Sequence, residues 1–385
     1  MKNFEFSIPT DVLFGRGQEA QLALKLAAFG HRVLLCYGGG SIKRTGLYAR
    51  ILELLTDFEV FELAGIEPNP RVDTLRKGVD LCKRHAIDVV LAVGGGSSID
   101  CAKAVAAGAK YVGDPWDIFL DMEKISAALP IVTIPTISAA GSELDPFAVI
   151  SNPATQEKLF IVHPCLMPSV SILNPENTFS VSAYHTAAGA SDTLSHLLEN
   201  FFDREPAAVA DGINLSLMQA VVANLPLALK CPTDYEARAQ LMWASALALS
   251  GLGSAGKDFC WSVHYIEHEL SAYYDITHGT GLAILTPHWM RHALNKTTVE
   301  KFCSYGKAVW NIGEMADRFA MANAAIEATA EFFKTIGLPT TLREVGIDNR
   351  YFHRMAAKAV RIGRLHRAYV PLDENDVLKI LTSAL

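Results

Sequence analysis

A chain of 385 residues, half of them hydrophobic and 19% charged, has the length and apolar content for two domains with sizeable cores. Its net charge of -7 provides no basic footprint for nucleic acid or an anionic membrane surface. Met1-Lys-Asn-Phe-Glu-Phe6 lacks the apolar run of a signal peptide, and no stretch reads as apolar for long enough to span a bilayer. The seven cysteines (Cys36, Cys82, Cys101, Cys165, Cys231, Cys260 and Cys303) are odd in number, widely spaced and without a CxxC. That usage suits reduced thiols of a cytoplasmic protein.

Val12-Leu-Phe-Gly15 is a short apolar stretch before a turn, and Gln18 to Ala28 has helical periodicity. Arg32 to Tyr37 is an apolar run of strand length that ends in Gly38-Gly-Gly-Ser41, the pattern of a central parallel strand. Thr45 to Thr56 reads as a helix, Phe58 to Leu63 as a strand, and Arg71 to His85 as an amphipathic helix after Glu67-Pro-Asn-Pro70. Ile87 to Val93 is another buried strand. It runs into Gly94-Gly-Gly-Ser-Ser-Ile-Asp100 and then the helical Ala102 to Ala107.

Strand, glycine loop, helix is a geometry that binds phosphate. Glycines let the backbone approach the anion, and free N–H groups at the helix start point at it. Ser97 and Asp100 fit a capping box. The loop is not GxGxxG, so the usual dinucleotide fingerprint is not what it matches. Ile131 to Thr136 is a further strand, followed by the small-residue loop Ala139-Ala-Gly-Ser-Glu143. A hairpin is expected from Phe147–Ile150 and Lys158–Val162, and a last strand from Ser169 to Leu173. An α/β domain over residues 1–180 is the result.

From Val181 the texture changes to long helical patterns, at roughly 183–202, 206–229, 234–253, 260–273, 279–294 and 313–336, with a helical tail after Asp348. Arg361, Arg364 and Arg367 in that tail read as a solvated face. Residues 181–385 therefore form an all-α domain. Asp192 and His196 lie four residues apart, as do His264 and His268, so each pair shares a helix face. His278 follows a turn into a new helix. One carboxylate and three imidazoles on neighbouring helices make a plausible divalent-cation site.

Together these residues resemble the iron-containing, or group III, alcohol dehydrogenases, and within them the NADP-dependent butanol dehydrogenase and broad-range aldehyde reductase branch. The resemblance covers essentially the whole chain. It rests on Leu13-Phe-Gly15, Tyr37-Gly-Gly-Gly-Ser41, Gly65-Ile-Glu-Pro-Asn-Pro70, Gly94 to Lys103, Pro135 to Glu143, Asp192-x3-His196, His264-x3-His268 and His278-Gly279.

The fold it implies is an N-terminal dinucleotide-binding α/β domain and a C-terminal helical domain, a dehydroquinate-synthase-like architecture with the active site in the cleft between them. It puts metal ligands at Asp192, His196, His264 and His278, with Fe²⁺ or Zn²⁺ as the metal. Asp192, His264 and His268 become the catalytic set, His268 beside the nicotinamide. Gly94, Gly95, Gly96 and Ser97 fall on the cofactor loop, Asp100 and Lys103 on its polar positions. Thr133, Thr136 and the loop through Ser142 lie against the cofactor, and Lys158 approaches the nicotinamide ribose. A homodimer is implied as well.

Gly39 stands where NAD-specific members of the family carry an acidic residue. A carboxylate there holds a ribose 2′-OH and repels a 2′-phosphate. Its absence, with Ser41, Lys43 and Arg44 close by, favours NADP(H) over NAD(H). Two departures from the family pattern, Ala140 and Asp145, bear on cofactor affinity and substrate range. Phe147, Phe259, Trp261 and Tyr274 are expected to line an apolar pocket for a medium-chain or aromatic aldehyde.

The expected reaction is hydride transfer between NADP(H) and a primary alcohol/aldehyde pair, with His268 relaying the proton. The rivals are a glycerol-type polyol dehydrogenase or a lyase of the same architecture, and a metal-dependent hydrolase. The lyase needs additional basic residues around Asp192 to His278, and none cluster there. The hydrolase has no use for the glycine loop.

Overall fold

Short, mostly apolar runs build a six-stranded parallel sheet in the first half of the chain. In the computed structural model, which describes residues 1–385, the strands are β1 (Asp11–Phe14), β2 (Arg32–Tyr37), β3 (Glu59–Ala64), β4 (Val89–Gly94), β5 (Ile131–Pro135) and β8 (Val170–Leu173). Their order is β1-β8-β5-β4-β2-β3, and the hairpin β6 (Phe147–Asn152) and β7 (Glu157–Val162) stands apart as an antiparallel pair.

Helices α1 (Leu22–Ala27), α2 (Ser41–Arg44), α3 (Leu47–Leu54), α4 (Val72–His85), α5 (Gly96–Lys110) and α6 (Asp117–Leu120) connect the strands. Alternation along the strands divides the core into two faces. Leu34, Cys36, Val90, Ala92 and Ile131 pack with α4 and α5. Val33, Leu35, Val89, Leu91 and Val132 pack with α1 and α3.

The second half is helical: α7 (Ala183–Phe201), α8 (Ala208–Lys230), α9 (Tyr235–Ala248), α10 (Val263–Tyr274), α11 (His278–Ala293), α12 (Val299–Trp310), α13 (Arg318–Thr335), α14 (Phe352–Gly363) and α15 (Glu374–Ser383). Helix α7 is buried on every side from Thr186 to Phe201, the mark of a helix at the centre of its unit. Phe201, Phe202, Trp289, Phe302 and Tyr305 stack into an aromatic core.

Four sequence expectations need correction. The Ser97/Asp100 capping box is not formed: Gly95 caps α5 without a side-chain bond, and both residues lie inside the helix. Helix α12 was not expected, although Val299, Phe302, Cys303, Gly306 and Val309 line its buried side. One helix is long and apolar enough to cross a membrane by length and composition, Ala208–Lys230. Its Ser216, Gln219 and Asn224 make the run look interrupted in the sequence, but none of them is charged. In this fold it buries Asn214, Met218, Val221 and Leu225.

The fourth correction concerns a single cut near residue 180. The chain forms one unit from Ser7–Val181 with Pro232–Ser250, and another from Met1–Phe6, Ser182–Cys231 and Gly251–Leu385. Helix α9 thus belongs with the sheet. Its Met242 and Ala246 are buried with Leu144 and Leu173, and Ser245 Oγ donates to the Ala139 carbonyl at 3.0 Å. Gly141 makes this approach possible: its φ is +69°, and a Cβ there would sit 2.5 Å from the Ser245 carbonyl oxygen.

Candidate functional site

Within the α/β unit, β2, β4 and β5 end level with one another. Tyr37 pairs with Val93, and Gly94 pairs with Pro135. The loops Gly38–Gly40, Gly95–Gly96 and Thr136–Gly141 therefore leave one edge of the sheet. The helix after β2 lies on one face and the helix after β4 on the other, so the chain reverses its winding between these two strands. That is where open α/β sheets bind dinucleotides. No side chain caps α5, which leaves its first turn as an anion seat. The loop is packed from above: a Cβ on Gly96 would lie 2.8 Å from Ala140 Cβ.

Within the helical unit, three imidazoles converge on one carboxylate oxygen. Asp192 Oδ1 is 3.4 Å from His196 Nε2, 3.7 Å from His264 Nε2 and 3.7 Å from His278 Nε2. Helix α7 supplies Asp192 and His196, the first turn of α10 supplies His264, and the first residue of α11 is His278. Two glutamates aim the rings. Glu199 accepts from His264 Nδ1 at 2.6 Å and from the backbone N–H groups of Ser262, Val263 and His264. Glu267 accepts from His278 Nδ1 and from Ser271 Oγ. Gly279 lets α11 reach this position, since a Cβ there would run into the Ala188 carbonyl of α7.

Burial disfavours the Asp192 charge, but His196, His278 and His264 hold its carboxyl well below the usual range. Burial pushes His196 down to about 3. At His264 burial also opposes the cation, yet Asp192 and Glu199 outweigh it and lift the imidazole to about 9. The rings of His196 and His264 stack at 4.6 Å, so a charge on one disfavours a charge on the other.

Asp192 Oδ1 and His264 Nε2 are buried with no hydrogen-bond partner. Leaving a buried oxygen and nitrogen unpaired is costly, and a cation among them would satisfy both. One carboxylate oxygen and three imidazole nitrogens are the donor set of a Zn²⁺ or Fe²⁺ site.

Comparison with known proteins agrees. Residues 9–175 match the model of the iron-containing alcohol dehydrogenases, and residues 186–385 match the C-terminal model of the same family. The chain belongs to the iron-containing alcohol dehydrogenase family. It is 48% identical to NADH-dependent butanol dehydrogenase A of Clostridium acetobutylicum, with 99% of each chain covered. It is 37% identical to the NADPH-dependent aldehyde reductase YqhD of Escherichia coli, over 90% of each. Among solved structures, NADH-dependent butanol dehydrogenase A of Thermotoga maritima superposes with a TM-score of 0.95, at 36% identity, covering 100% of this chain and 99% of that one. A divalent metal, typically iron, and a nicotinamide cofactor go with the family, and the Asp/His set fits that metal.

In this alcohol dehydrogenase the sequence-expected residues divide. Asp192, His196, His264 and His278 come together. His268 lies beside them, its ring 5.5 Å from His278. Gly94, Gly95, Gly96, Ser97 and Thr136 share the sheet edge, where the Thr136 N–H donates to the Gly94 carbonyl at 2.9 Å. Gly39 and Ser41 are exposed. Lys43 lies 5.1 Å and 4.5 Å from the ring centres of Tyr37 and Tyr48, both of which donate to Glu62. Lys158 Nζ donates to Asn69 Oδ1 at 3.0 Å.

Other expected cofactor residues are spent inside the protein. Lys103 is fully buried and donates to Asp145 Oδ1 and to the Asp145 and Phe147 carbonyls. Asp145, a departure from the family pattern, is therefore an internal counter-ion. Thr133 is buried against Ser171 at 2.7 Å. Ser142 donates to Asp100, whose second oxygen accepts from the Val149 N–H. Tyr274 is not beside the cluster: it ends α10, about ten residues and roughly 15 Å along the helix from His264, and donates to Asp348.

The sequence reading missed Glu199 and Glu267. A signal was available: Glu199 interrupts the apolar Leu197-Leu198 and Phe201-Phe202, and Glu267 lies in the same helical segment as His264. A carboxylate in a buried helix, one turn from a candidate ligand, is the mark of a ring-orienting partner.

Proposed function

We propose that this alcohol dehydrogenase works as an aldehyde reductase of the butanol dehydrogenase type. A primary aldehyde, a reduced nicotinamide and one proton give the alcohol and the oxidised cofactor. The observation that carries the reading is the convergence of Asp192, His196, His264 and His278, which we assign as the metal ligands. When bound, the divalent metal supplies Lewis acidity toward the substrate oxygen and the nicotinamide supplies the hydride. Asp192 provides the negative charge of the site, while Glu199 and Glu267 keep the two imidazoles turned toward it. Trp261 and Phe259, whose rings pack at 4.9 Å, offer an apolar surface beside His264 that suits an alkyl or aryl chain. His268 is the proposed relay for the proton.

For the cofactor we propose NADP(H), on the absence of a carboxylate at Gly39 and the proximity of Ser41, Lys43 and Arg44. Two observations favour NADH as a second reading. Lys43 already faces Glu62 across Tyr37 and Tyr48, and the 48%-identical relative is named for NADH. We further propose a homodimer in the cytoplasm, a reducing setting that the seven unpaired cysteines support.

The test is oxidation of NADPH and of NADH with butanal, before and after chelation and again with Fe²⁺ or Zn²⁺ restored. Loss of reduced-nicotinamide absorbance that follows the metal is the expected result, and the ratio of kcat/KM for the two cofactors decides between them. Full activity in metal-free His264→Ala would sink the ligand assignment.

A further inference from the structure

Two of the three imidazoles around Asp192 are held by carboxylates, His264 through Glu199 and His278 through Glu267. The third is held differently. His196 Nδ1 is buried without a hydrogen-bond partner. The terminal torsion of a histidine is broad and roughly two-fold, so a ring with no bond through its second nitrogen turns unless packing stops it. Here two flat rings stop it. His196 stacks on His264 at 4.6 Å and 14°, and against Trp261 at 5.3 Å and 31°. Trp261 in turn packs on His264 at 4.5 Å.

We propose that Trp261 is a positioning residue of the metal centre, its indole fixing the plane of His196 in place of the missing hydrogen bond. The proposal rests on the assignment of the metal ligands above.

Trp261 is itself well anchored. Its Nε1 donates to Asn200 Oδ1 at 3.2 Å, and Asn200 lies one helical turn beyond His196 on α7. The indole is thereby tied to the helix whose histidine it braces. On its C-terminal side, the N–H groups of Ser262 and Val263 are bound by Glu199. On its N-terminal side, Asp258 pairs with Lys2 and with Arg367, and its N–H donates to Asp203. The Lys2 N–H donates to the Gly256 carbonyl at 2.9 Å. The segment Met1–Phe6 thus helps frame the loop that delivers Trp261.

The experiment compares wild type, Trp261→Ala and Trp261→Phe, as full chains freed of metal and then titrated with Co²⁺ or Zn²⁺ against a chromophoric chelator. Removal of a partner that orients a ligand ring commonly weakens metal binding by about 10–100-fold, and that loss is expected for Trp261→Ala. Trp261→Phe, which keeps a flat ring, should stay within about threefold of wild type and keep the visible d–d spectrum of the Co²⁺ form. Melting of the metal-free proteins separates this from a general loss of fold. Should Trp261→Ala fail to fold, Trp261→Leu, which keeps apolar bulk without a planar ring, takes its place under the same thresholds.

Wild-type affinity in the alanine or leucine variant overturns the proposal. So does a phenylalanine variant as weak as the alanine one. Failure of the wild type to bind one equivalent of metal would overturn the ligand assignment itself and the proposal with it, a result distinct from the other two.

Discussion

Glu199 shows how much one carboxylate can do. It accepts from three consecutive backbone N–H groups at the start of α10 and from the imidazole of His264. Glu199→Ala should weaken metal binding by about 10–100-fold and loosen the α10 start by roughly 0.5–2 kcal/mol, read by competitive metal titration and by thermal melting. Lys103 and Asp145 form a pair almost wholly out of solvent. Lys103→Met leaves Asp145 uncompensated and should cost about 3–5 kcal/mol, measured by urea unfolding; adding Asp145→Asn should recover part of it. Glu143 carries a pH signature, because burial pushes its carboxyl up to about 7, above the ordinary value of about 4.3. The folded state then holds a proton that the unfolded state has released. This contribution to stability is fully present below about pH 4 and is lost as pH rises to about 7. Glu143→Gln should therefore flatten the fall of the urea midpoint between pH 5 and pH 7.5.

The helices that carry the proposed metal ligands are spaced by their smallest residue. Gly279 follows His278 directly, and its backbone lies against Ala188 of α7. Gly279→Ala pushes α11 away from α7 and takes His278 from Asp192. The expected outcome is a loss of about 1–3 kcal/mol together with metal, checked by melting temperature and metal stoichiometry. Elements of this kind were legible in part. The apolar runs of β2, β4 and β5 and the four-residue spacings of Asp192/His196 and His264/His268 gave sheet and cluster directly, because periodicity and burial act locally. Helix α12 escaped notice because Gly306 lies within it and Asn295-Lys-Thr-Thr298 before it reads as a turn. The roles of Lys103, Thr133 and Ser142 were misread, because a motif position does not say whether a side chain points at a ligand or into the core. Only Asp145, Ser171 and Asp100, distant in sequence, settle that.

For the whole molecule, the metal-site reading predicts that chelation acts on one unit. A ligand at a hundred times its Kd contributes about 2.7 kcal/mol to the state that binds it. On metal removal, hydrogen exchange should quicken in the middle of α7 and at the starts of α10 and α11, while β2, β4 and β5 keep their protection. Which helices belong to which unit was not legible, because an amphipathic pattern shows that a face is buried but not against what. Helix α9 is the instance: nothing in Tyr235–Ala248 names the Ala139–Gly141 loop as its neighbour. The interleaving of segments also sets the order of events on the ribosome. Met1 to Phe6 emerge ahead of the whole sheet, yet Gly256 and Asp258, to which Lys2 binds, follow about 250 residues later, on the order of 12–50 s at roughly 5–20 residues per second. The sheet has all its strands by Leu173 but lacks α9 until Ala248 is made. The α/β unit must wait unfinished while Ser182–Cys231 of the other unit is made, the helical unit must wait while Pro232–Ser250 is made, and a fragment cut at any single point leaves at least one of them short of a piece.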